Sequence, residues 1–382
     1  MKHEIEPPAL STSTSHASTL VVVLGMHRSG TSAATRALEA MGATFGDRLM
    51  PPQPDNPKGF FEDLDINAIN VEIMRSVGVE WDALPSADLS RLPLTHLKNL
   101  QDRAFELLRC KCAAGIFALK DPRMARLLRF WKPLFDRLDA RVVYIIVYRH
   151  PISVMRSLER RNTMTLAKSA LLWLLYTSAA MAETVSQTRT LLNYDTLMRN
   201  PLPELRRVAD ELSLDFNTDL AADFSATFLD PSLRHTTFSI DDLKTERDIP
   251  LLVTELFEAL CDVTERPSSE TISNCNSVLS NVGRYVASSK PIFQYLWDLE
   301  RSSRQLECNS LDDHERLLRL GEELRLALER LHIAEDRHCQ MQFSIENAAK
   351  ALQLMHSSTC WRVTAPLRWL KRSLFFSKTD HG

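Results

Sequence analysis

A short segment bounded by two glycines carries the residue pattern with the clearest chemical meaning. Residues 25–32 read Gly-Met-His-Arg-Ser-Gly-Thr-Ser, between an apolar run at 19–24 and an alanine-rich stretch at 33–41. In such a loop the backbone N–H groups can converge on a phosphate at the N-terminus of the following helix. Arg28 adds a permanent positive charge. The pattern predicts an anion-binding loop, and an ordinary turn between a strand and a helix is the alternative.

The same loop differs from that of nucleotide kinases at one position. Gly25 and Gly30 have the spacing of the Walker pattern G-x-x-x-x-G-K-[ST], but Thr31 occupies the lysine position. Kinases rely on that lysine at the β- and γ-phosphates. Asp121 is the one obvious strand-end aspartate for magnesium. The loop therefore favours an anion site without a metal, with a P-loop kinase or NTPase as the alternative.

A second pair of residues fits the other end of a doubly charged anion. Arg149 follows the apolar run 141–148, and Ser157 comes eight residues later, after a proline that opens a helix. A guanidinium at the strand end and a hydroxyl two turns into the helix are able to share one phosphate. Each residue alone is a weak signal. Together with the loop at 25–32 the pair becomes specific.

The positions of these motifs indicate the fold that holds them. Apolar, β-branched runs predict buried strands at 19–24, 116–119, 141–148 and 190–194. Helical stretches alternate with these strands, so the sequence predicts an α/β fold with a parallel, doubly wound central sheet. Ligands of such sheets lie beyond the C-terminal ends of the strands, where Arg28, Lys120 and Arg149 are found.

The two motifs together resemble those of the sulfotransferases that use 3′-phosphoadenosine 5′-phosphosulfate (PAPS). Residues 25–32 are similar to the 5′-phosphosulfate loop of this family, and residues 148–157 are similar to its 3′-phosphate element. Segments 120–123, 193–197 and 229–233 also resemble bacterial members, and the resemblance covers about residues 19–245. It implies a P-loop-like three-layer fold, PAPS as co-substrate and no metal. The residues that it assigns to the donor are His27, Arg28, Ser29, Gly30, Thr31, Ser32, Arg149 and Ser157.

The chain departs from the family pattern in two places. Arg28 stands where cytosolic members usually carry lysine, which keeps the charge but changes its shape. The late Lys-x-Gly-x-x-Gly loop of the family is absent from the sequence, and Arg234 is the candidate for the remaining 3′-phosphate contact.

Sulfuryl transfer needs a base for the acceptor hydroxyl and positive charge at the leaving phosphate. Glu62 is the predicted base, because its segment 56–63 resembles a Gly-aromatic-x-Glu stretch of bacterial relatives. A role for Glu62 as a helix cap is the alternative, and Asp63 and His27 are reserve candidates. Arg28 would stabilise the leaving group, and Lys120 would lie near the sulfate or the acceptor.

A series of arginines follows Lys120 at helical spacing. Arg123, Arg126 and Arg129 recur every third residue. A solvated helix face is the default interpretation, and a surface for an anionic acceptor is the sharper alternative.

Composition limits the ligands and the cellular location that we expect for this protein. The 382 residues carry a net charge of -3, which gives no overall attraction to nucleic acid, so anion binding must come from local clusters. Seven scattered cysteines, an odd number, predict reduced thiols. The Ser/Thr-rich leader 1–18 lacks a secretory pattern, and the apolar stretch 170–181 is too short to span a bilayer. We expect a cytoplasmic protein, with the inner face of the plasma membrane as a further expected location.

The C-terminal quarter differs in composition, with a larger share of charged residues. Apolar residues repeat every seven positions over six heptads, which predicts a coiled coil at 291–356 after a sulfotransferase domain at 19–290. The basic, aromatic tail 357–382 resembles the ends of bacterial enzymes of surface-polysaccharide assembly, which implies a carbohydrate acceptor. The coiled coil predicts a homo-oligomer, and the tail predicts contact with a membrane surface or partner enzyme. A non-catalytic scaffold with a nucleotide-binding fold stays an alternative.

Overall fold

A five-stranded parallel sheet forms the centre of the fold. The computed structural model describes residues 18–54, 56–229, 238–247, 249–309, 314–359, 361 and 364. The strands are β1 (Ser18–Leu24), β2 (Ala43–Thr44), β3 (Gly115–Lys120), β4 (Arg141–Tyr148) and β5 (Arg189–Asn193), in the order β2-β3-β1-β4-β5. The α/β class, the parallel sheet and the four predicted strands are confirmed. The sequence did not reveal β2, because two residues are too few to show a periodic pattern.

Helices connect the strands and continue beyond the sheet. Their bounds are α1 (Thr31–Ala37), α2 (Leu64–Ser76), α3 (Leu94–Lys111), α4 (Met124–Phe135), α5 (Pro151–Asn162), α6 (Leu166–Glu183), α7 (Tyr194–Arg199), α8 (Pro201–Leu212), α9 (Thr218–Asp223), α10 (Ile240–Thr245), α11 (Leu251–Glu265), α12 (Ser269–Asn309) and α13 (His314–Ser357). A 3₁₀ turn, Leu38–Met41, extends α1, so the helix predicted for 33–41 ends in a tighter turn.

The sheet is buried on both faces, as its sequence predicted. Leu20 through Leu24 are fully buried in the central strand β1. On one face, Val21 and Val23 pack in a cluster with residues of α1, α8 and α9. On the other face, α6 contacts β4 and also contacts α4 and α5. The predicted three-layer arrangement results, with helices above and below a sheet that has no polar face.

Strand register brings the chemically interesting residues to one edge. Val23 of β1 pairs with Lys120 of β3, and Leu24 of β1 pairs with Ile146 of β4. The loop after β1 therefore begins beside Lys120 and close to the end of β4. Because all three strands are parallel, their C-terminal ends open on the same crevice.

Two helix starts differ in detail from the prediction. The pair Asp121–Pro122 has the pattern of an N-cap followed by the first helical residue, which predicts a helix from Pro122. Helix α4 instead begins at Met124. The Asp121 carboxylate accepts from the backbone N–H of Arg123 at 2.9 Å, so a turn precedes the helix. At α2 the N-cap is Asp63, which accepts from the N–H groups of Asp65 and Ile66. The alternative role of Glu62 as the helix cap is therefore excluded.

The chain divides into two compact units, one up to Gln294 and one from Tyr295. In the second unit, helix α13 exposes apolar residues that the heptad pattern places on one seam. The exposed seam residues are Met341, Ile345, Leu352 and Met355. Residues 1–17 of the predicted leader, Arg234 and most of the predicted tail lie outside the described residues, and Ser18 already belongs to β1. Within the described chain, no helix has the length and apolar content of a membrane span.

The arginine series on α4 does not form one surface. Arg126 points inward and donates to the backbone carbonyls of Ala83, Leu84 and Pro85. Arg129 is exposed and pairs with Glu183 at 2.7 Å. Both interpretations, the solvated face and the acceptor surface, are therefore wrong for Arg126. Its guanidinium acts as a structural clamp, because it binds three backbone carbonyls and holds them in place.

We expect Arg126→Met to destabilise the protein by about 2–4 kcal/mol, because three backbone carbonyls lose their charged donor. Arg129→Met, three residues away on the same helix, is the matched control and should change stability by less than about 0.5 kcal/mol. Urea denaturation measures both free energies of unfolding. Equal effects of the two substitutions would contradict the clamp.

Candidate active site

The loop after β1 is shaped by two glycines that no other residue can replace without a clash. A Cβ on Gly25 would lie 2.5 Å from the carbonyl oxygen of Val147, and a Cβ on Gly30 would lie 2.0 Å from the Tyr194 ring. Gly30 also has φ of 90°, a left-handed conformation that favours glycine. The loop is thus pressed against β4 on one side and α7 on the other. This close packing directs the first backbone N–H groups of α1 toward the crevice.

The buried hydroxyl of Ser29 indicates what the loop holds. Its Oγ has no hydrogen-bond partner within the described chain, although the residue is 1% exposed. A buried hydroxyl without a partner is costly, and an anion oxygen would supply the missing acceptor. The loop residues therefore fit a phosphate or sulfate group.

Arg28 joins the loop to the second anion motif. Its backbone is left-handed, with φ of 69°, which is strained for a residue with a side chain. Its Nε donates to Ser157 Oγ at 2.8 Å, and Arg149 Nη1 donates to the Arg28 carbonyl at 3.4 Å. The structure thus brings Arg28, Arg149 and Ser157 into one cluster, although 129 positions separate Arg28 from Ser157. Buried Trp173 on α6 supports this cluster by donating from Nε1 to the Arg149 carbonyl at 3.1 Å.

Sequence reasoning missed Tyr194 as a site residue. The Arg149 guanidinium lies 4.7 Å from the centre of the Tyr194 ring, and the Cδ2–Cε2 edge of the ring packs against Gly30. Tyr194 directly follows β5, and it lines the same cleft as Arg28 and Arg149. The rule that ligand-binding residues follow strand ends would have identified it. An aromatic ring at this place offers a stacking surface for a flat ligand group.

A buried ion pair occupies the other end of the cleft. Lys120 Nζ lies 2.7 Å from Glu62 Oε1, and the two side chains are 2% and 6% exposed. The same ammonium donates to the carbonyl oxygen of Phe60 at 2.8 Å and to Ser32 Oγ at 3.3 Å. One cation therefore connects the end of β3, the loop before α2 and the anion-binding loop.

The second oxygen of Glu62 has its own neighbours. Asn67 Nδ2 donates to Glu62 Oε2 at 3.2 Å and to Asp121 Oδ2 at 3.3 Å. Arg123 Nη1 lies 3.7 Å from Glu62 Oε2. Burial raises the pKa of Glu62, while the positive charge of Lys120 acts in the opposite direction. The carboxylate is thus held in one orientation with a proton affinity above that of an exposed glutamate.

His27 lies among cations at the entrance of the anion-binding loop. Its ring packs against Trp81, with the ring centres 4.5 Å apart, and its Nε2 has no hydrogen-bond partner within the described chain. Burial holds the pKa of His27 well below its usual range, and the charges of Arg123 and Lys120 act in the same direction. The imidazole is therefore neutral at neutral pH, because protonation would add a charge to an already positive site.

All but two of the predicted site and reserve residues line one cleft of about 770 Å³ or lie directly at its wall. Asp63, a reserve candidate for the base, is turned away from it, since it caps α2 and pairs with Lys111 at 2.7 Å. Arg234 lies outside the described residues. Chemically, the cleft combines an anion-binding loop, a second anion cluster and a carboxylate beside an ammonium.

Comparison with known proteins places this geometry in a family. A family model described as "Sulfotransferase family" matches residues 21–218. A search of curated proteins finds no match.

Several solved structures are similar at low identity. The sulfotransferase domain from the Synechococcus PCC 7002 olefin synthase is 19% identical, with a TM-score of 0.36 over 69% of this chain and 96% of that domain. The sulfotransferase domain from the curacin biosynthetic pathway is 16% identical, with a TM-score of 0.36 over 69% of this chain and 98% of that domain. A mouse sulfotransferase complexed with PAP is 13% identical, with a TM-score of 0.31 over 68% of this chain and 89% of its own.

These TM-scores are low, so the assignment depends on the family match. That match spans residues 21–218 of 382, just over half of the sequence, and it contains the anion-binding loop, the Lys120–Glu62 pair and the Arg149 cluster. The chain belongs to the sulfotransferase family.

Proposed function

We propose that this protein transfers the sulfuryl group of PAPS to a hydroxyl of an acceptor, and that no metal takes part. The observation that supports the proposal best is the hydrogen bond of 2.8 Å from Arg28 to Ser157. It joins the anion-binding loop to the Arg149 cluster, so two anion sites face one cleft. A nucleotide with a 5′-phosphosulfate and a 3′-phosphate has anions at both ends and matches this arrangement.

Each end of the donor has partners of suitable chemistry in this proposal. The 3′-phosphate binds Arg149, Arg28 and Ser157, and the base stacks on Tyr194. The 5′-phosphosulfate binds the N-terminus of α1, the Ser29 hydroxyl and Lys120. These contacts give the buried Ser29 hydroxyl the hydrogen-bond acceptor that it lacks within the described chain.

The reaction step follows from the Lys120–Glu62 pair. Glu62 accepts the proton of the acceptor hydroxyl while the hydroxyl oxygen forms a bond to sulfur. The bond between sulfur and the bridging oxygen breaks, and its electron pair stays on the 5′-phosphate. Lys120 and the loop N–H groups lower the energy of this developing charge, while Arg28 is engaged with Ser157 at the 3′-phosphate. Positioning and charge stabilisation thus carry most of the rate, as in phosphoryl transfer.

The acceptor class is part of the proposal. A carbohydrate hydroxyl is the acceptor suggested by the tail sequence at 358–368, which lies mostly outside the described residues.

Replacing the cations of the 3′ cluster should weaken nucleotide binding. We expect Arg149→Met and Arg28→Gln each to lower the affinity for adenosine 3′,5′-bisphosphate by at least about 10-fold, because each removes a charged donor. Calorimetry without magnesium measures the affinity. Arg156→Met is the control, because Arg156 lies next to Ser157 but pairs with Glu159.

Unchanged affinity in both site variants would overturn the donor assignment. Binding of ATP with magnesium in place of adenosine 3′,5′-bisphosphate would favour the P-loop kinase. Tight nucleotide binding without transfer of labelled sulfate to any acceptor of a glycan panel would favour the scaffold.

Glu62→Gln tests the base. We expect a fall in kcat of about 10²–10⁴-fold with little change in nucleotide affinity, because the amide cannot accept the proton. Glu72→Gln is the control, since Glu72 lies on α2, the helix that follows Glu62, and pairs with exposed Arg103. A variant that keeps full activity would exclude Glu62 as the base and leave His27 as the next candidate.

The pH profile gives a second readout of Glu62. The base works only when deprotonated, so the acceptor kcat/KM should fall as the pH drops through the Glu62 pKa. Because burial raises that pKa, the fall should begin at a higher pH than for an exposed glutamate. The residual activity of Glu62→Gln should lack this acidic limb. An acidic limb that persists in the variant would assign it to another group.

We also propose that α13 associates with a second copy of the same chain. Met341, Ile345, Leu352 and Met355 share the seam positions of the heptad and are 62%, 62%, 52% and 42% exposed. A regular heptad seam is complementary to another copy of itself, which makes a second copy the natural occupant. The number of strands in the coiled coil stays open.

Seam substitutions test the association. We expect the double variant Ile345→Asp, Leu352→Asp to be monomeric and the unmodified chain to be oligomeric, as measured by light scattering after gel filtration. The matched control, Phe343→Asp with Leu354→Asp, changes two equally exposed apolar residues that lie off the seam. A monomeric unmodified chain, or equal disruption by both double variants, would contradict a coiled-coil seam.

A further inference from the structure

Arg123 stands on the far side of the Glu62 carboxylate from the anion-binding loop. Lys120 contacts Oε1 of Glu62 at 2.7 Å, whereas Arg123 lies nearest to Oε2, at 3.7 Å. Lys120 also reaches Ser32 in the loop, so it belongs to the donor side. Any hydroxyl that gives its proton to Glu62 must come within about 3 Å of that carboxylate. A group carried next to this hydroxyl is then within reach of the Arg123 guanidinium.

The protein holds the Arg123 guanidinium through one of its nitrogens, Nη1. Its Nη1 donates to Asp121 Oδ1 at 3.0 Å, and its backbone N–H donates to the same oxygen at 2.9 Å. Within the described chain, the guanidinium's ion pairs and hydrogen bonds all use Nη1. The side chain lines the cleft and is 17% exposed. Nε and Nη2 are therefore fixed in direction, and neither has a hydrogen-bond acceptor among the described residues.

Such a group is suited to a particular kind of ligand. A half-buried guanidinium with a fixed orientation binds carboxylate, sulfate or phosphate oxygens in pairs. A neutral acceptor that displaced water from it would leave charged donors unsatisfied. The geometry thus selects for an anionic neighbour beside the accepting hydroxyl.

The charge of the cleft supports the same conclusion. Seven cationic side chains line it, namely Arg28, Lys58, Lys120, Arg123, Arg149, Arg160 and Arg161. Glu62 is the one carboxylate among its described lining residues, and Asp121 lies behind Arg123. The donor brings about four negative charges, so positive charge remains after it has bound.

We infer that Arg123 binds an anionic group, a carboxylate or a sulfate or phosphate ester, on the acceptor next to the hydroxyl that is modified. This inference rests on the proposed function and names its acceptor class. Arg123 is then the residue that distinguishes acidic from neutral carbohydrates. The inference also gives Arg123 a role within the arginine series, in which Arg126 binds backbone carbonyls and Arg129 pairs with Glu183.

Binding to the nucleotide-loaded protein tests the inference without depending on turnover. The full chain is saturated with adenosine 3′,5′-bisphosphate and titrated in a calorimeter with tetragalacturonate, glucose 6-sulfate and glucose 6-phosphate. Maltotetraose and glucose are the neutral counterparts. We expect at least one anionic probe to bind the unmodified chain about 10-fold or more tighter than its counterpart.

Variants of Arg123 assign the preference to this residue. Arg123→Gln should remove the preference, and Arg123→Lys should restore part of it, while the affinity for adenosine 3′,5′-bisphosphate stays within about 3-fold of the original. Arg129→Gln, on the exposed side of the same helix, should change neither affinity. The probe that binds the unmodified chain more tightly than its neutral counterpart identifies the anion that Arg123 recognises. Tetragalacturonate stands for a carboxylate, glucose 6-sulfate for a sulfate ester and glucose 6-phosphate for a phosphate ester.

Three results would overturn the inference. One is the absence of preference for any anionic probe in the unmodified chain. Another is a preference that survives in Arg123→Gln. The third is a loss of nucleotide affinity in Arg123→Gln as large as that expected for Arg149→Met, which would place Arg123 in the donor site. Failure of the unmodified chain to bind adenosine 3′,5′-bisphosphate would instead contradict the proposed function itself.

Discussion

The buried ammonium of Lys120 is the interaction on which the site depends. It satisfies the Glu62 carboxylate, the Phe60 carbonyl and the Ser32 hydroxyl, and these three groups come from different segments. Burying two charges is expensive unless they pair closely and find further hydrogen bonds, and here both conditions are met. Removal of the ammonium would deprive the buried Glu62 carboxylate of its closest cation and free the loop that carries it. One cation therefore sets the distance between the anion-binding loop and the candidate base.

The parallel sheet makes this arrangement possible. Because Val23 pairs with Lys120, the side chain of Lys120 emerges beside the first turn of the loop after β1. At the neighbouring strand, Trp173 holds the Arg149 carbonyl, and the Tyr194 ring fills the space that a side chain at Gly30 would need. Lys120 and Arg149 are thus fixed at strand ends, and their hydrogen bonds to the Phe60 and Arg28 carbonyls hold the loops that carry Glu62 and Arg28.

Electrostatics divides the cleft into regions with different tasks. Burial, together with the nearby cations, lowers the pKa of His27, and burial also raises the pKa of Glu62 beside the same cations. Burial thus drives both groups toward their neutral forms. Desolvation destabilises the charge of each one, and nearby positive charge opposes this effect only for the carboxylate. Unlike His27, Glu62 can therefore be charged in this cleft and still accept a proton from the acceptor hydroxyl.

The sequence alone determined the strands, the parallel sheet and the strand-end positions of Arg28, Lys120 and Arg149. These features depend on local patterns, namely β-branched runs, glycines at a loop and prolines at helix starts, which act over a few residues. Only the tertiary structure decided which partner each charge has. The ion pair of Glu62 spans 58 positions and the Arg28–Ser157 bond spans 129, so no local pattern encodes either of them. For the same reason Arg123, Arg126 and Arg129 look equivalent in sequence, while packing places one in the cleft, one under three carbonyls and one in solvent.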